Sequence, residues 1–248
     1  MLHNLDCLDL LKTIPSDSID LVLTDPPYFI GFDGGRGWDS VWDNEEAYLS
    51  WCKQWTVECE RVLKENRMMV VFGTLKTDTF LRYKLNILEE TSLVSQNEII
   101  WSYNWGGRTK ANFARKHELA WCYSKGNSFL FNADDVRVER KLKSNPRTGK
   151  PFDKGTIPTC VWEKNNHTTS REYVKWHPTQ KPLMVLERLV RGYTNPGDTV
   201  LDIFSGSGST AIACDRTDRL FVGCELDPDY YKLSLKRREE FDQKPPAM

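Results

Sequence analysis

"TVLDIFSGSGSTAIAC", residues 199–214, reads as a strand, a tight turn and a helix in immediate succession. Residues 199–204 are β-branched or apolar and break only at Asp202. Gly206 and Gly208 supply the turn, and the small residues from Ser209 to Cys214 begin a helix. A strand that passes through glycines into a helix is one βα unit, and the rest of the chain carries the parts of others. Short apolar runs at Ile19–Thr24, 68–72, 98–101, 118–123 and Leu220–Cys224 read as further buried strands. Helical spacing fills the gaps between several of them. Tyr48, Cys52, Trp55, Cys59 and Val62 share one face of a helix over 45–64. Leu183, Leu186, Leu189, Val190 and Tyr193 share another, with Pro182 suited to its first turn and "NPGD" to its end. A last helix starts at Asp227-Pro228 and runs through the charged "KLSLKRREEF". Strands alternating with helices predict an α/β fold, a mostly parallel sheet covered on both faces. In such sheets ligands bind beyond the carboxyl ends of the strands, so the candidate site residues are those just after each strand.

The totals set outer limits. With 248 residues the chain suffices for one large α/β domain or two small ones. No run of eighteen apolar residues occurs, so no membrane span is expected, and "MLHNLDCLDLL" does not read as a signal peptide. Seven scattered cysteines without a C-x-x-C pair point to a reducing compartment and against a disulfide framework or a zinc site. The four histidines form no ligand set, and His117-Glu118 lacks the second histidine of a zinc-protease motif, so no metal is assigned. A net charge of −1 excludes a dedicated nucleic-acid coat but not a local basic face.

The turn at Gly206 and Gly208 lets a backbone approach a ligand with its amides forward. Gly206-x-Gly208-x-x-Ala211 satisfies the dinucleotide fingerprint, and Glu225 ends the next strand where a ribose-binding carboxylate belongs. NAD is therefore one candidate, and a plain structural turn is another. Asp202 and Glu225 crowd the site with negative charge, which suits a ligand without phosphates. S-adenosylmethionine has a ribose, an adenine, a cationic end and no phosphate.

"TDPPY", residues 24–28, comes at the end of the strand Ile19–Thr24. Taken alone it is either a Pro-Pro strand terminator or a catalytic corner. The exocyclic amino group of adenine is a poor nucleophile because its lone pair is delocalised into the ring. Two acceptors that each take one of its N–H bonds draw the nitrogen toward tetrahedral geometry and free that pair. Asp25 offers a carboxylate and Pro26 a carbonyl, and the prolines fix φ so that both are preorganised. Tyr28 offers a face for a base that has left its duplex.

Together "TDPPY" at 24–28, "HPTQKP" at 177–182 and "DIFSGSGST" at 202–210 resemble the permuted β class of S-adenosylmethionine-dependent DNA adenine N6-methyltransferases, of restriction–modification, orphan or phage type. The order carries weight, because the catalytic corner precedes the cofactor turn with a long insertion between. The resemblance spans nearly the whole chain. It implies a Rossmann-like fold in one catalytic domain over 1–248, with a seven-stranded, mostly parallel sheet, one antiparallel strand and circularly permuted motif order. It implies S-adenosylmethionine as cofactor and catalysis by Asp25, Pro26, Pro27 and Tyr28. Phe204, Ser205, Gly206, Ser207, Gly208 and Ser209 resemble the loop that wraps the methionine part of the cofactor, beside Asp25 and Asp202. Glu225 resembles the ribose ligand, and Asp6 and Cys7 the pair that reads the cofactor's adenine edge. Thr179 and Lys181 resemble contacts to its methionine carboxylate.

The class keeps its target-recognition region between the catalytic and cofactor motifs, here about 126–175. Residues 136–154 carry seven Lys and Arg against Glu139 and Asp153, a local balance of +5. By charge alone this is a solvated insertion or a nucleic-acid element; by position the resemblance makes it a DNA contact. The candidates are Arg137, Arg140, Lys141, Lys143 and Arg147, with Arg108 and Lys110 in a second basic loop at 104–116 that also holds Arg115 and Lys116. The glycine-rich loop at 29–43, with Trp38 and Trp42, is either a flap over the flipped base or an ordered surface loop. Double-stranded DNA is the implied partner. A homodimer and a cognate restriction endonuclease are further partners the family admits, and a cytoplasmic, prokaryotic or phage-encoded setting is expected. Rival chemistries remain: N4 methylation of cytosine, whose branch usually carries Ser at the position of Asp25; an RNA or protein amide methyltransferase, usually with Asn there; an NAD-binding oxidoreductase; and a catalytically dead DNA-binding relative.

Overall fold

The computed structural model describes residues 1–104, 106–107, 109–164 and 172–242. In chain order the elements are β1 (Leu2–His3), α1 (Cys7–Thr13), β2 (Ile19–Thr24), α2 (Glu45–Val62), β3 (Leu63–Gly73), α3 (Asp78–Asn86), β4 (Val94–Ser102), β5 (His117–Ser124), β6 (Val161–Glu163), α4 (Leu183–Tyr193), β7 (Thr199–Asp202), α5 (Ser209–Asp215), β8 (Leu220–Cys224) and α6 (Pro228–Asp242). One sheet takes all the strands in the order β1-β8-β7-β2-β3-β5-β4-β6. Every pairing is parallel except the two made by β5, so β5 alone runs against the rest. The expected single antiparallel strand is present. The sheet has eight strands, one more than the expected seven: the six runs read from the sequence and the short edge strands β1 and β6. At two and three residues they are too short to show periodicity in a sequence. Helices α1 and α3 are likewise additions to the pattern the sequence predicts. Pro182 caps α4 from outside rather than sitting in its first turn.

The alternation of side chains along each strand divides the core in two. Val22, Met69, Val71, Trp121 and Leu201 face α1, α2 and α3, where Tyr48, Cys52, Trp55, Cys59 and Val62 are all fully buried as their spacing predicts. Leu21, Leu23, Met68, Val70 and Val200 face the other way, onto α4 and α5. Burial on both faces explains why Leu21, Val22 and Leu23 of β2 are apolar in succession rather than alternating with polar residues. Each fully buried Leu, Val or Ile contributes about 1.5–3 kcal/mol relative to exposure.

The fold positions the site through one pairing. β2 lies against β7, with Leu21 opposite Val200 and Val22 opposite Leu201. From β2 the chain proceeds through α2 to β3 on one side, and from β7 through α5 to β8 on the other. The two strands thus flank the switch point of a doubly wound sheet, where the loops diverge and leave a crevice. Among the described residues no helix is long and apolar enough to cross a membrane.

Candidate active site

A cavity of about 680 Å³ opens at this crevice. Residues just beyond strands line it: Leu5 and Asp6 after β1, Asp25–Tyr28 after β2, Thr74 after β3, Tyr103 after β4, Ile203–Ser207 after β7 and Glu225 after β8. The two distant motifs touch directly. Thr24 Oγ1 donates to Asp202 Oδ1 at 3.1 Å, across 178 residues of chain.

The β7 turn is built for close approach. Gly206 has φ +49° and Gly208 φ +74°, both in the left-handed region that favours glycine. A Cβ on Gly206 would lie 2.6 Å from His177 Nε2, so the imidazole is packed directly on the loop. Burial holds His177 down at about 3, a neutral ring. Gly208 does different work from its neighbours. It does not line the cavity; it N-caps α5 and packs against Ser234 of α6. Glu225 ties the loop from the next strand, accepting from the amides of Gly206 and Asp227 at 2.8 Å each. Burial nevertheless pushes its carboxyl up to about 7 and that of Asp202 up to about 6. Asp6 caps α1 through Leu8 N, and both Asp6 and Cys7 line the cavity.

The β2 corner is equally constrained. Tyr48 Oη donates to the Pro27 carbonyl at 2.8 Å. The Pro26 carbonyl accepts no hydrogen bond among the described residues. Phe29 stands at φ +56°, unusual for a bulky residue, and Asp39 holds the bend by accepting from the amides of Phe29, Ile30 and Phe32. Tyr28 donates to Asp25 Oδ1 at 2.5 Å and rests its ring on Phe80, centroids 4.8 Å apart. Lys181 is buried and ion-paired with Asp25 Oδ2, with Glu118 Oε2 at 3.2 Å on its other side. The resemblance places this lysine on a cofactor carboxylate; in the structure its partners are the protein's own. Thr179 lines the cavity as expected.

The 29–43 loop is fastened to the segment that follows β8. Arg36 pairs with Asp227 at 2.9 Å and stacks on Tyr230, 4.5 Å from the ring centroid. Its clasp thus sits two residues beyond Glu225. Three further residues of the site are not apparent from the sequence. Glu118 is the second residue of the antiparallel strand, so the start of β5, not its end, lies at the ligand edge. Buried Arg237 of α6 donates to Ser207 O at 2.7 Å and Ser209 Oγ at 2.9 Å, holding the glycine loop from behind. Arg36 forms the clasp. Only Glu118 had a readable signal, since the resemblance already supplied an antiparallel strand.

The basic segment folds as an arm. Antiparallel bridges join Val138 to Thr156 and Ser144 to Pro151, and Asn145 closes a turn with Gly149 and Lys150. Arg137 and Arg140 hold this arm together: Arg137 binds Asp134 and the Gly155 carbonyl, and Arg140 binds the Lys154 carbonyl and stacks on Phe152 at 4.0 Å. Lys143 pairs with Glu139. Lys141 and Arg147 are exposed, and their side chains make no hydrogen bond or ion pair among the described residues. Lys110 is exposed in the second loop, where Phe113 is 96% exposed. Arg108 lies outside the described residues.

The sheet that carries this glycine turn and this Asp-Pro-Pro-Tyr corner on neighbouring strands has the Rossmann-like fold of S-adenosylmethionine-dependent DNA methyltransferases. The DNA methylase family profile matches residues 19–236, and the chain belongs to that family. It is similar to the DNA adenine methyltransferase YhdJ of Escherichia coli (strain K12), 31% identical over 245 residues that cover 94% of this chain and 80% of that protein. It is also similar to the type II methyltransferase M.HpaI of Haemophilus parainfluenzae, 32% identical over 229 residues, 92% of this chain and 70% of the other. Among solved structures, the cytosine-N4-specific PvuII DNA methyltransferase shares the fold, with TM-score 0.75 at 20% identity over 98% of this chain and 89% of that one. The complex of M1.HpyAVI with its cofactor gives TM-score 0.65 at 25% identity, covering 96% and 98%.

Proposed function

We propose that this DNA methyltransferase acts on the N6 amino group of adenine turned out of double-stranded DNA. The observation that carries the proposal is the convergence, in one cavity with the glycine loop, of the Asp25 carboxylate and the uncommitted Pro26 carbonyl. The donor set suits S-adenosylmethionine: a glycine cradle for close backbone approach, and carboxylates at Asp202 and Glu225 in the same cavity for hydroxyls and positive charge. That cofactor supplies an electrophilic methyl on a sulfonium. Phe204, Ser205, Gly206, Ser207 and Ser209 hold its methionine part while Gly208 shapes the turn behind them, Glu225 holds its ribose, and Asp6 and Cys7 its adenine. Asp25 and Pro26 each accept one N–H of the target amino group, which frees the nitrogen lone pair for the methyl carbon. As the new C–N bond forms, the C–S bond breaks and its electron pair stays on sulfur. The methylated nitrogen is then cationic and strongly acidic, and water or Asp25 takes its proton. Aspartate at position 25, rather than serine, and the adenine-specific relative YhdJ favour adenine over cytosine.

We further propose that residues 126–175 are the target-recognition region within a single catalytic domain, with Lys141, Arg147 and Lys110 meeting phosphates. The relatives include type II restriction–modification enzymes, which supports a cognate endonuclease as companion. The test is expression in a methylation-free host, followed by nucleoside analysis and direct sequencing of the DNA. N6-methyladenine at one short site is expected. N4-methylcytosine as sole product would move the reaction to the other base.

A further inference from the structure

Both oxygens of the Asp25 carboxylate are taken in this structure, Oδ1 by the Tyr28 hydroxyl and Oδ2 by Lys181. Each oxygen keeps a second lone pair, but a carboxylate neutralised by an ammonium polarises an incoming N–H less. One donor therefore has to yield when the target amino group arrives. Tyr28 is held at both ends, by Asp25 and by the Phe80 ring. Lys181 has a flexible stem and three rotatable donors, so it is the group that can move.

It cannot move into water. Lys181 is only 5% exposed, and the walls around its ammonium are the rings of Phe72, at 5.2 Å, and Tyr28, at 5.8 Å. An ammonium released there without a partner would be a stranded buried charge. Glu118 removes that obstacle. It is the second residue of β5, at the ligand edge; its Oε2 is buried 3.2 Å from Lys181 Nζ as an ion pair, and that oxygen has no hydrogen-bond partner among the described residues. Burial pulls the lysine down, yet the two carboxylates beside it more than offset that, so the group is charged where it stands.

We propose that Glu118 is a positioning residue that takes Lys181 from Asp25 when the target base docks, and returns it after methyl transfer. This rests on the role given above to Asp25. Glu118 acts through Lys181 and leaves the reacting atoms to the catalytic corner. A small rotation of one side chain then converts a neutralised aspartate into a free acceptor, only when a substrate amino group competes for it.

The experiment is single-turnover methylation by wild type, Glu118→Gln, Glu118→Asp, Lys181→Met and the Glu118→Gln/Lys181→Met double variant. Cofactor and DNA affinities are measured alongside. Glu118→Gln keeps the shape and loses the charge. Its methylation rate should fall about 10–100-fold, with both affinities within about twofold of wild type. Glu118→Asp should recover most of the rate. On the Lys181→Met background the glutamine substitution should cost nothing, because no ammonium remains to be held. A Glu118→Gln enzyme at wild-type speed overturns the proposal. So does an equal loss on both backgrounds, which would give Glu118 a role of its own. A wild-type protein that fails to methylate adenine instead removes the underlying assignment of Asp25, and is told apart by the unsubstituted enzyme alone.

Discussion

The corner after β2 and the arm at 138–156 are held by opposite means. The corner is locked from every side: two prolines, the Tyr48 hydroxyl on Pro27, three amides gathered by Asp39 and the Thr24–Asp202 bond beneath. The arm has two isolated bridges, one tight turn and ion pairs such as Lys143–Glu139 that stand mostly in water. The difference matches the work proposed for each. Moving electrons at one nitrogen demands acceptors fixed to a few tenths of an ångström, since reorganisation during the reaction adds to the barrier. Phosphate contact needs charge within reach, and counterion release rewards it over a range of geometries. Substitutions in the corner should therefore fail steeply and in rate, and those in the arm gradually and in affinity.

The largest effect is expected at Asp25. Asp25→Asn keeps the shape of the side chain but turns one acceptor oxygen into a donor. The single-turnover rate should drop by about 10²–10³-fold or more, as when a preorganised transition-state contact is removed. Cofactor binding by calorimetry should survive, because the glycine loop and Glu225 are untouched. An Asp25→Asn enzyme retaining a large part of the rate would place the chemistry elsewhere.

Next comes Gly206→Ala. The substitution demands φ +49° of an L-residue and sets a methyl 2.6 Å from His177 Nε2. Left-handed backbone alone costs about 1–2 kcal/mol, and the clash adds to it. Cofactor affinity should fall about 10–100-fold, one decade for each 1.4 kcal/mol. Adding His177→Ala should restore part of the loss, which a purely conformational penalty would not allow.

Glu225 offers a smaller, pH-dependent effect. Burial raises its carboxyl from 4.5 to about 7, so between those values the folded free protein holds a proton that the unfolded chain lacks. The contribution to free-protein stability is thus fully present below about pH 4.5 and lost as pH rises through about 7. Cofactor binding should run the other way, because ribose hydroxyls and a positive charge favour the ionised carboxylate. Affinity should weaken as pH falls below about 7, by at most about tenfold per pH unit. Calorimetry at pH 6 in buffers of different ionisation heat should register proton release on binding, absent in Glu225→Gln. No proton exchange in either protein would detach Glu225 from the ribose.

Much of this was legible because the local rules agree with one another. β2 and β7 announce themselves as apolar runs buried on both faces, and the rule that ligands sit beyond the carboxyl ends of parallel strands leads to Asp25, Gly206 and Glu225. The same rule misses Glu118, because β5 runs backwards and brings its first residues to the ligand edge. Arg237 was hidden in "KLSLKRREEF", where burial of one arginine among exposed charges depends on a loop thirty residues away in sequence. Lys181 was recognised from its motif, but its pairing with Asp25 spans 156 residues and no spacing encodes it. Edge strands β1 and β6 are set by their neighbours rather than by their own composition.

The smallest effects belong to the arm, and they separate its cations into two kinds. Charge counting treats Arg137, Arg140, Lys141 and Arg147 alike. The contacts do not: the two guanidiniums at 137 and 140 are spent on Asp134, Gly155, Lys154 and Phe152, while Lys141 and Arg147 are left to solvent. Lys141→Ala/Arg147→Ala should lower DNA affinity several-fold near physiological salt and reduce the slope of log affinity against log salt by about 1.8, roughly 0.9 per lost phosphate contact. Thermal stability should be unchanged. Arg137→Ala and Arg140→Ala should instead loosen the arm, read as faster amide exchange at Val138 and Thr156, whose backbones bond each other at 2.9 Å. Their salt slopes should stay near the wild-type value. If all four substitutions shift the slope equally, the arm binds as an undifferentiated basic tract, and its internal bonds have no part in choosing which cations face DNA.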